Sequence, residues 1–331
     1  MMKGPARIIG DDAGLRDVVQ LARRLAQVDA TVLVYGETGV GKEVFARMIH
    51  DSSPHRSGPF VALNCGGLSR ELLASDLFGY VDGAFTGARR SGMPGKIEAA
   101  EGGTLFLDEI TELPIDLQPY LLRVLEDGEV YPVGSTKPRK VHFRLISACN
   151  REIRSEVAEG RFRMDLFYRL SVTSLKIPPL RHRRMDIPSL VDYFAEAAAI
   201  HHGIPKRRLT DEVMQILTNH TWPGNVRELR NVVETIMLLA TSDVVDIATL
   251  PHDLFDELTA ARHPARAFGA HSAREATLGW VERDAISAAI VTRQGNLTQV
   301  ARDLNISRST LYLKVKKHAL DPVLDEARLG T

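Results

Sequence analysis

Two cysteines in 331 residues are too few for a disulfide framework. Cys65 and Cys149 each lie in an apolar, strand-like run, so each reads as a buried thiol in a reducing compartment. No apolar run reaches the ~18 residues that a membrane span needs. The basic N-terminal stretch 1–15 has no apolar h-region, so a signal peptide is not expected either. These absences make the cytoplasm the expected location. Charge of one sign is also lacking: 42 Lys and Arg balance 42 Asp and Glu. Any basic surface for nucleic acid must therefore be local.

What is present is a change of pattern along the chain. From about residue 31 to 177, short apolar runs alternate with amphipathic stretches. Runs 31–35, 60–63, 104–107, 143–149 and 172–177 are predicted strands, with helices predicted over 43–50, 68–78 and 117–127. Such alternation implies an α/β fold with a parallel sheet covered by helices. From 186 to about 240 the pattern turns wholly helical, and Pro223 is expected to open one helix just after Trp222. Residues 256–275 lose periodicity and collect Ala, Arg, His and Pro, a linker composition. The expected order is an α/β subdomain over 1–180, a small all-α lid over 181–255 and a linker over 256–275. A helical domain over 276–320 and a tail over 321–331 complete it.

Gly36-Glu37-Thr38-Gly39-Val40-Gly41-Lys42-Glu43 follows a predicted strand and opens a predicted helix, the setting of a phosphate-binding loop. Its glycines let backbone N–H groups turn toward phosphates, and the helix N-terminus adds positive partial charge. Lys42 would neutralise β- and γ-phosphate oxygens. The usual Ser or Thr after the lysine, a ligand for Mg2+, is replaced by Glu43. Leu105-Phe106-Leu107 leads into Asp108 and Glu109, two carboxylates at the strand end that faces the ligand crevice. Alone, the acidic pair would also suit a helix N-cap. Beside a phosphate loop it suits ATP hydrolysis, with Asp108 holding Mg2+ and Glu109 acting as general base.

Gly83-Ala84-Phe85-Thr86-Gly87-Ala88 lies between these two nucleotide motifs. Phe85 and Thr86 are its only sizeable side chains, on a small and flexible backbone. That makes the segment a poor core element and a good contact tool. With this hexapeptide, with Phe162-Arg163-Met164-Asp165-Leu166-Phe167-Tyr168-Arg169-Leu170 and with Trp222-Pro223-Gly224-Asn225-Val226-Arg227-Glu228-Leu229, the chain resembles the bacterial enhancer-binding AAA+ activators of sigma-54 RNA polymerase. The resemblance runs from about residue 8 to 320. Asp76 stands where that family usually has Glu.

The resemblance implies a set of roles. Asn64 would switch the glutamate between idle and active poses, and Asn150 would sense the γ-phosphate. Each asparagine ends a predicted strand and could equally be a turn residue. Arg163 and Arg169 would be arginine fingers reaching a neighbouring subunit's ATP. The alternative for each of them is a surface ion pair with Asp165. Arg227 would project from the lid onto the nucleotide. Fingers supplied in trans require a homo-oligomer, dimer to hexamer, closed as a ring. Phe85 and Thr86 would touch sigma-54 and remodel the closed complex with RNA polymerase, and the segment 128–139 would accompany that movement. A sensor domain usually precedes the ATPase in this family. Only about thirty residues precede the first predicted strand here, so control would come in trans from a partner protein or from a sensor outside this chain.

Near the end of the chain, 296–304 reads as a short amphipathic helix, and Ser307 can cap a second over 308–317. Two short helices joined by a tight turn suggest helix-turn-helix, here resembling the Fis-type domain. The second helix carries Arg308, Ser309, Thr310, Tyr312, Lys316 and Lys317, the local basic surface for double-stranded DNA that the neutral total conceals. Arg308 and Ser309 would meet base edges, and Lys316 and Lys317 phosphates. A helix over 276–292 with Trp280 and Ile286 in its core would dimerise the domain. Two readings compete with the activator: a DNA-bound repressor with a regulatory ATPase core, and an AAA+ unfoldase or helicase loader. His201 and His202 are adjacent on a predicted helix and face apart, so a metal site there is not expected.

Overall fold

The computed structural model describes residues 8–84, 91–240, 242–249, 258, 289–290, 293 and 297–303. Phe85, Thr86, Gly87 and Ala88 lie outside the described residues, as do the linker apart from Leu258, the expected dimerising helix apart from Ala289 and Ile290, and all the DNA-contact candidates from Arg308 to Lys317. The chain divides into two compact units, Met1–Thr259 and Ala260–Thr331.

The first unit is built on five parallel strands: β1 (Val32–Tyr35), β2 (Phe60–Asn64), β5 (Thr104–Asp108), β8 (Arg144–Cys149) and β9 (Thr173–Lys176). Their order across the sheet is β2-β5-β8-β1-β9. Alternate side chains go to opposite faces, as the strand repeat requires. Leu33, Leu105, Leu107 and Leu145 join a core with α3 (Arg70–Phe78), α4 (Lys96–Ala99), α5 (Gln118–Asp127), α6 (Ile153–Ala158) and α7 (Met164–Leu170). Val32, Val34, Phe106, Ile146 and Ala148 turn the other way, onto α1 (Ala13–Ala26) and α2 (Lys42–Asp51). Helices thus cover both faces, which is why the strands read as continuous apolar runs. Cys65 and Cys149 are buried and unpaired, and burial pushes each thiol up to about 12.

One buried charge helps to join the layers. Arg144 opens β8, is almost fully enclosed, and donates to the carbonyls of Ala26 (2.9 Å) and Leu25 (2.7 Å). Those are carbonyls in the last turn of α1, where a helix leaves acceptors open and its dipole favours a cation. Periodicity alone gives no sign of this contact.

The lid has its own core, drawn from α8 (Ile187–His202), α9 (Asp211–Asn219) and α10 (Asn225–Leu239) around the enclosed Trp222. The Trp222 indole N–H donates to the Leu217 carbonyl at 2.8 Å. The lid is helical as expected, with one addition: β10 (Arg208–Leu209) pairs in parallel with β11 (Val244–Val245). Pro223 does not open α10. Trp222 and Asn225 have φ of 50° and 54°, a tight turn carries the chain past the proline, and the Glu228 carboxylate accepts the Gly224 N–H at 2.8 Å.

Two small antiparallel ribbons leave the α/β layer. β3 (Gly79–Tyr80) pairs with β4 (Met93–Pro94), bracketing the segment that contains Gly83 and Ala84. β6 (Glu129–Val130) pairs with β7 (Arg139–Lys140), which ends one residue past the expected accompanying segment 128–139. In the second unit, 297–303 forms α11 (Leu297–Asp303), with Leu297, Val300 and Ala301 buried at helical spacing.

Candidate nucleotide site

The expected phosphate loop connects β1 to α2, and its glycines are where the backbone needs them. Gly39 and Gly41 have φ of 80° and 103°, conformations that residues with a Cβ rarely adopt. Lys42 begins α2 and folds back, its ammonium donating to the carbonyls of Gly36 (2.9 Å) and Glu37 (3.2 Å). Burial pulls its pKa below the ordinary lysine range, while Asp108, Cys149 and Glu109 act in the opposite direction. The loop therefore holds an enclosed cation next to two carboxylates.

Strand register explains why distant residues meet here. Asn64 lies opposite Asp108 across β2 and β5, and Tyr35 opposite Cys149 across β1 and β8. The carboxyl ends of four strands thus line one edge of the sheet, where α/β folds bind ligands. Asn150 follows β8, and its amide donates to the Thr38 hydroxyl at 3.4 Å. Glu109 leaves β5 with φ 53°, and its N–H donates to Asp108 Oδ1 at 3.0 Å. A left-handed glutamate is an outlier of the kind that collects at functional sites. The Asn64 Oδ1 accepts the Gly66 N–H at 2.7 Å. A Cβ built on Gly66 would fall within 3.0 Å of Glu109 Oε2 and 3.3 Å from Asn64 Oδ1, so the two side chains converge over that glycine.

Other expected residues face elsewhere. The Glu43 carboxylate accepts from Arg47 at 2.8 Å on the exposed side of α2. The Glu37 carboxylate is gripped by Arg181 (2.7 and 2.5 Å) and receives the Asn225 amide at 3.2 Å. Those contacts hold the Glu37 carboxyl below the usual carboxylate range, Arg181 having the largest effect. The Arg227 backbone N–H donates to the Gly39 carbonyl at 3.2 Å, which sets that arginine beside the loop.

Neither arginine of the 162–170 segment is spent on the chain's own phosphate loop. Arg163 stands at the N-cap position of α7, and its side chain pairs with Asp165 at 2.7 Å. Its backbone N–H is held by the buried Gln118 at 2.8 Å, whose amide also donates to Leu113 and Arg161 carbonyls. Arg169 donates to the Leu125 carbonyl at 2.6 Å. It lines a cavity of about 430 Å³ with Thr31 and Arg144, at the amino ends of β1 and β8. That edge is opposite the carboxyl ends where Lys42 sits. On and just after α7, Met164, Tyr168 and Val172 are all more than half exposed.

The base of the 83–88 segment is stitched to the other ribbon. Val81 N–H donates to the Val133 carbonyl (3.1 Å), Val133 N–H to that of Gly79 (2.8 Å), and Gly134 packs against Ala84. Arg139 pairs with Glu98 at 2.6 Å.

Residues 8–176 match the model of the sigma-54 interaction domain, 181–267 that of the AAA+ ATPase lid domain, and 277–318 that of the bacterial regulatory protein Fis family. A protein of Geobacillus stearothermophilus named limonene hydroxylase is 45% identical over 94% of this chain and 56% of its own length. The activity in that name stays with that protein. The DNA-binding transcriptional regulator NtrC of Azospirillum brasilense is 38% identical over 93% of this chain and 69% of its own length. NtrX from Brucella abortus superposes with a TM-score of 0.73 at 35% identity, covering 94% of this chain and 69% of that one. Crystal structures of that NtrX include complexes with ATP and with ADP. The chain spans little more than half the length of some of its relatives, 56% and 54% in two cases. With all three domain models matched in order over one chain, it belongs to the sigma-54-dependent transcriptional regulators, with an AAA+ core, a helical lid and a Fis-type helix-turn-helix.

Proposed function

We propose that this chain is an ATP-driven activator that binds upstream DNA and remodels the sigma-54 RNA polymerase closed complex through Gly83–Ala88. The observation that carries the reading is the convergence of Lys42, Asp108, Glu109 and Asn150 at one edge of the sheet. Lys42 would neutralise the β- and γ-phosphates, and Asn150, already on Thr38, would report the γ-phosphate. Glu109 would polarise the attacking water, and Asn64 would set its pose across Gly66. The hard carboxylate oxygens of Asp108, held by the Glu109 N–H, suit Mg2+. Glu43 is committed to Arg47 and would add no ligand. Bound Mg2+ would offset charge on the phosphates.

Arg163 and Arg169 would act on a neighbouring copy's nucleotide, and the exposed Met164, Tyr168 and Val172 beside them suit burial against that copy. The stitching of Val81 and Ala84 to Val133 and Gly134 gives the contact loop a base that moves with the 128–139 segment. Phe85 and Thr86 would carry that movement to sigma-54, and Arg308 with its neighbours would tether the assembly to DNA.

The test combines purified chain, ATP, Mg2+, sigma-54 holoenzyme and promoter DNA. Phosphate release together with open complexes that need hydrolysable ATP is the expected result. DNA occupancy with no turnover would favour the repressor reading. Turnover with no retention of sigma-54 would favour the unfoldase or loader.

A further inference from the structure

We propose that the lid sets the orientation of the phosphate loop's peptide groups, with Asn225, Arg183 and Arg181 as positioning residues for nucleotide binding; this rests on the ATPase reading above. Three consecutive loop carbonyls are claimed by donors of residues 181–267. The Thr38 carbonyl accepts the Asn225 amide at 3.0 Å. The Gly39 carbonyl accepts the Arg227 N–H, and the Val40 carbonyl accepts Arg183 Nη2, each at 3.2 Å. In a planar trans peptide the C=O and the following N–H point in opposite directions. Holding the Thr38 and Val40 carbonyls toward the lid therefore turns the Gly39 and Gly41 N–H groups away from it. Preorganised N–H groups of this kind form an anion cradle at a helix N-terminus.

The clasp is built of groups that have no slack. Asn225 is fully buried with φ 54°, which asparagine tolerates better than most residues. Its Oδ1 accepts the Leu180 N–H at 2.8 Å while its Nδ2 serves Thr38 and Glu37, so both ends of the amide are used. Arg183 is buried, with Asp186 4.0 Å away, and Asp186 accepts the N–H groups of Asp11 and Asp12. A Cβ on Gly39 would fall within 3.0 Å of the Gly224 carbonyl, so loop and lid backbones touch directly. A lid displacement would reach the loop without a soft side chain between them.

Glu37 acquires a different role from the one its place in the loop suggests. A free carboxylate there would oppose incoming phosphates. Arg181 and Asn225 hold it toward the lid. The Arg181–Glu37 pair is more than a third exposed on each side, so it adds little to stability, and its placement is what matters.

The experiment titrates the full chain with a fluorescent ATP analogue and follows thermal melting in parallel. Arg181→Ala is expected to weaken binding about tenfold with little change in melting, because a surface-type pair contributes little to the fold. Adding Glu37→Gln to that variant is expected to restore binding to within about threefold, since the exposed charge is gone. Asn225→Asp keeps the shape but replaces the donor, and is expected to cost about a hundredfold, the order of effect that a misplaced binding group has. Should Asn225→Asp fail to fold, Arg181→Ala and its rescue decide alone. Wild-type affinity in Arg181→Ala, or a double variant no better than the single, would overturn the proposal. A wild-type chain that binds no nucleotide would instead remove the ATPase reading.

Discussion

The Glu109 carboxylate rests against Gly66, a position at which any Cβ would fall inside van der Waals contact with Oε2. A side chain at this position would meet the Glu109 carboxylate and no backbone strain, because Gly66 is absent from the positive-φ glycines. Gly66→Ala should therefore displace Glu109 without disturbing the phosphate loop. The expected outcome is a fall in kcat of about tenfold or more with unchanged ATP affinity, and Glu109→Ala should lose about a hundredfold or more. Phosphate release measured beside equilibrium nucleotide binding checks both. Normal turnover in Glu109→Ala would remove it as the base.

If the proposed contact role holds, Thr86→Ala should retain most ATP hydrolysis and lose sigma-54 capture, because Thr86 lies outside both nucleotide motifs in the sequence. A pull-down with the ATP-bound chain checks this. Open complexes formed normally by the variant would sink the assignment of the contact.

Acid should loosen the lid through His220. The ring is buried against Trp222, its Nδ1 accepts the Trp222 N–H at 3.1 Å, and burial lowers its pKa from 6.5 to about 4. Between those values the unfolded chain takes a proton that the folded lid refuses. Stability is full above about pH 6.5 and falls as pH drops toward 4, by about 3 kcal/mol at most from this one group. His220→Asn keeps an acceptor but cannot titrate. Urea unfolding at pH 7 and pH 5 should show a smaller acid loss in the variant than in wild type, and an equal loss would refute the assignment.

Arg144→Leu should destabilise the α/β layer by roughly 2–4 kcal/mol, since two carbonyls of α1, one buried and one half-buried, lose their donors. Chemical denaturation monitored by circular dichroism checks it. A change under about 1 kcal/mol would mean that water or a local shift satisfies those carbonyls instead.

Much of the fold was legible because its signals are local. Each predicted strand of the sheet is present to within a residue or two, since strands covered on both faces leave continuous apolar runs. The placement of Lys42 at a strand-to-helix junction and of Asp108 and Glu109 at a strand end was legible for a related reason: each belongs to a contiguous string of the sequence. Pro223 misled because it lies in the tight turn marked by the positive φ of Trp222 and Asn225, two residues ahead of the first residue of α10.

The sequence by itself determined the strand–helix alternation, the glycines of the phosphate loop and the carboxylates at the strand end, all of them properties of neighbouring residues. Only the tertiary structure decided what those groups touch. Asn225 meets Thr38 across 187 residues, Arg181 meets Glu37 across 144 and Arg144 meets Ala26 across 118. Such contacts leave no periodic trace, because a hydrogen bond depends on where two backbones pass in space and not on the spacing of their residues along the chain.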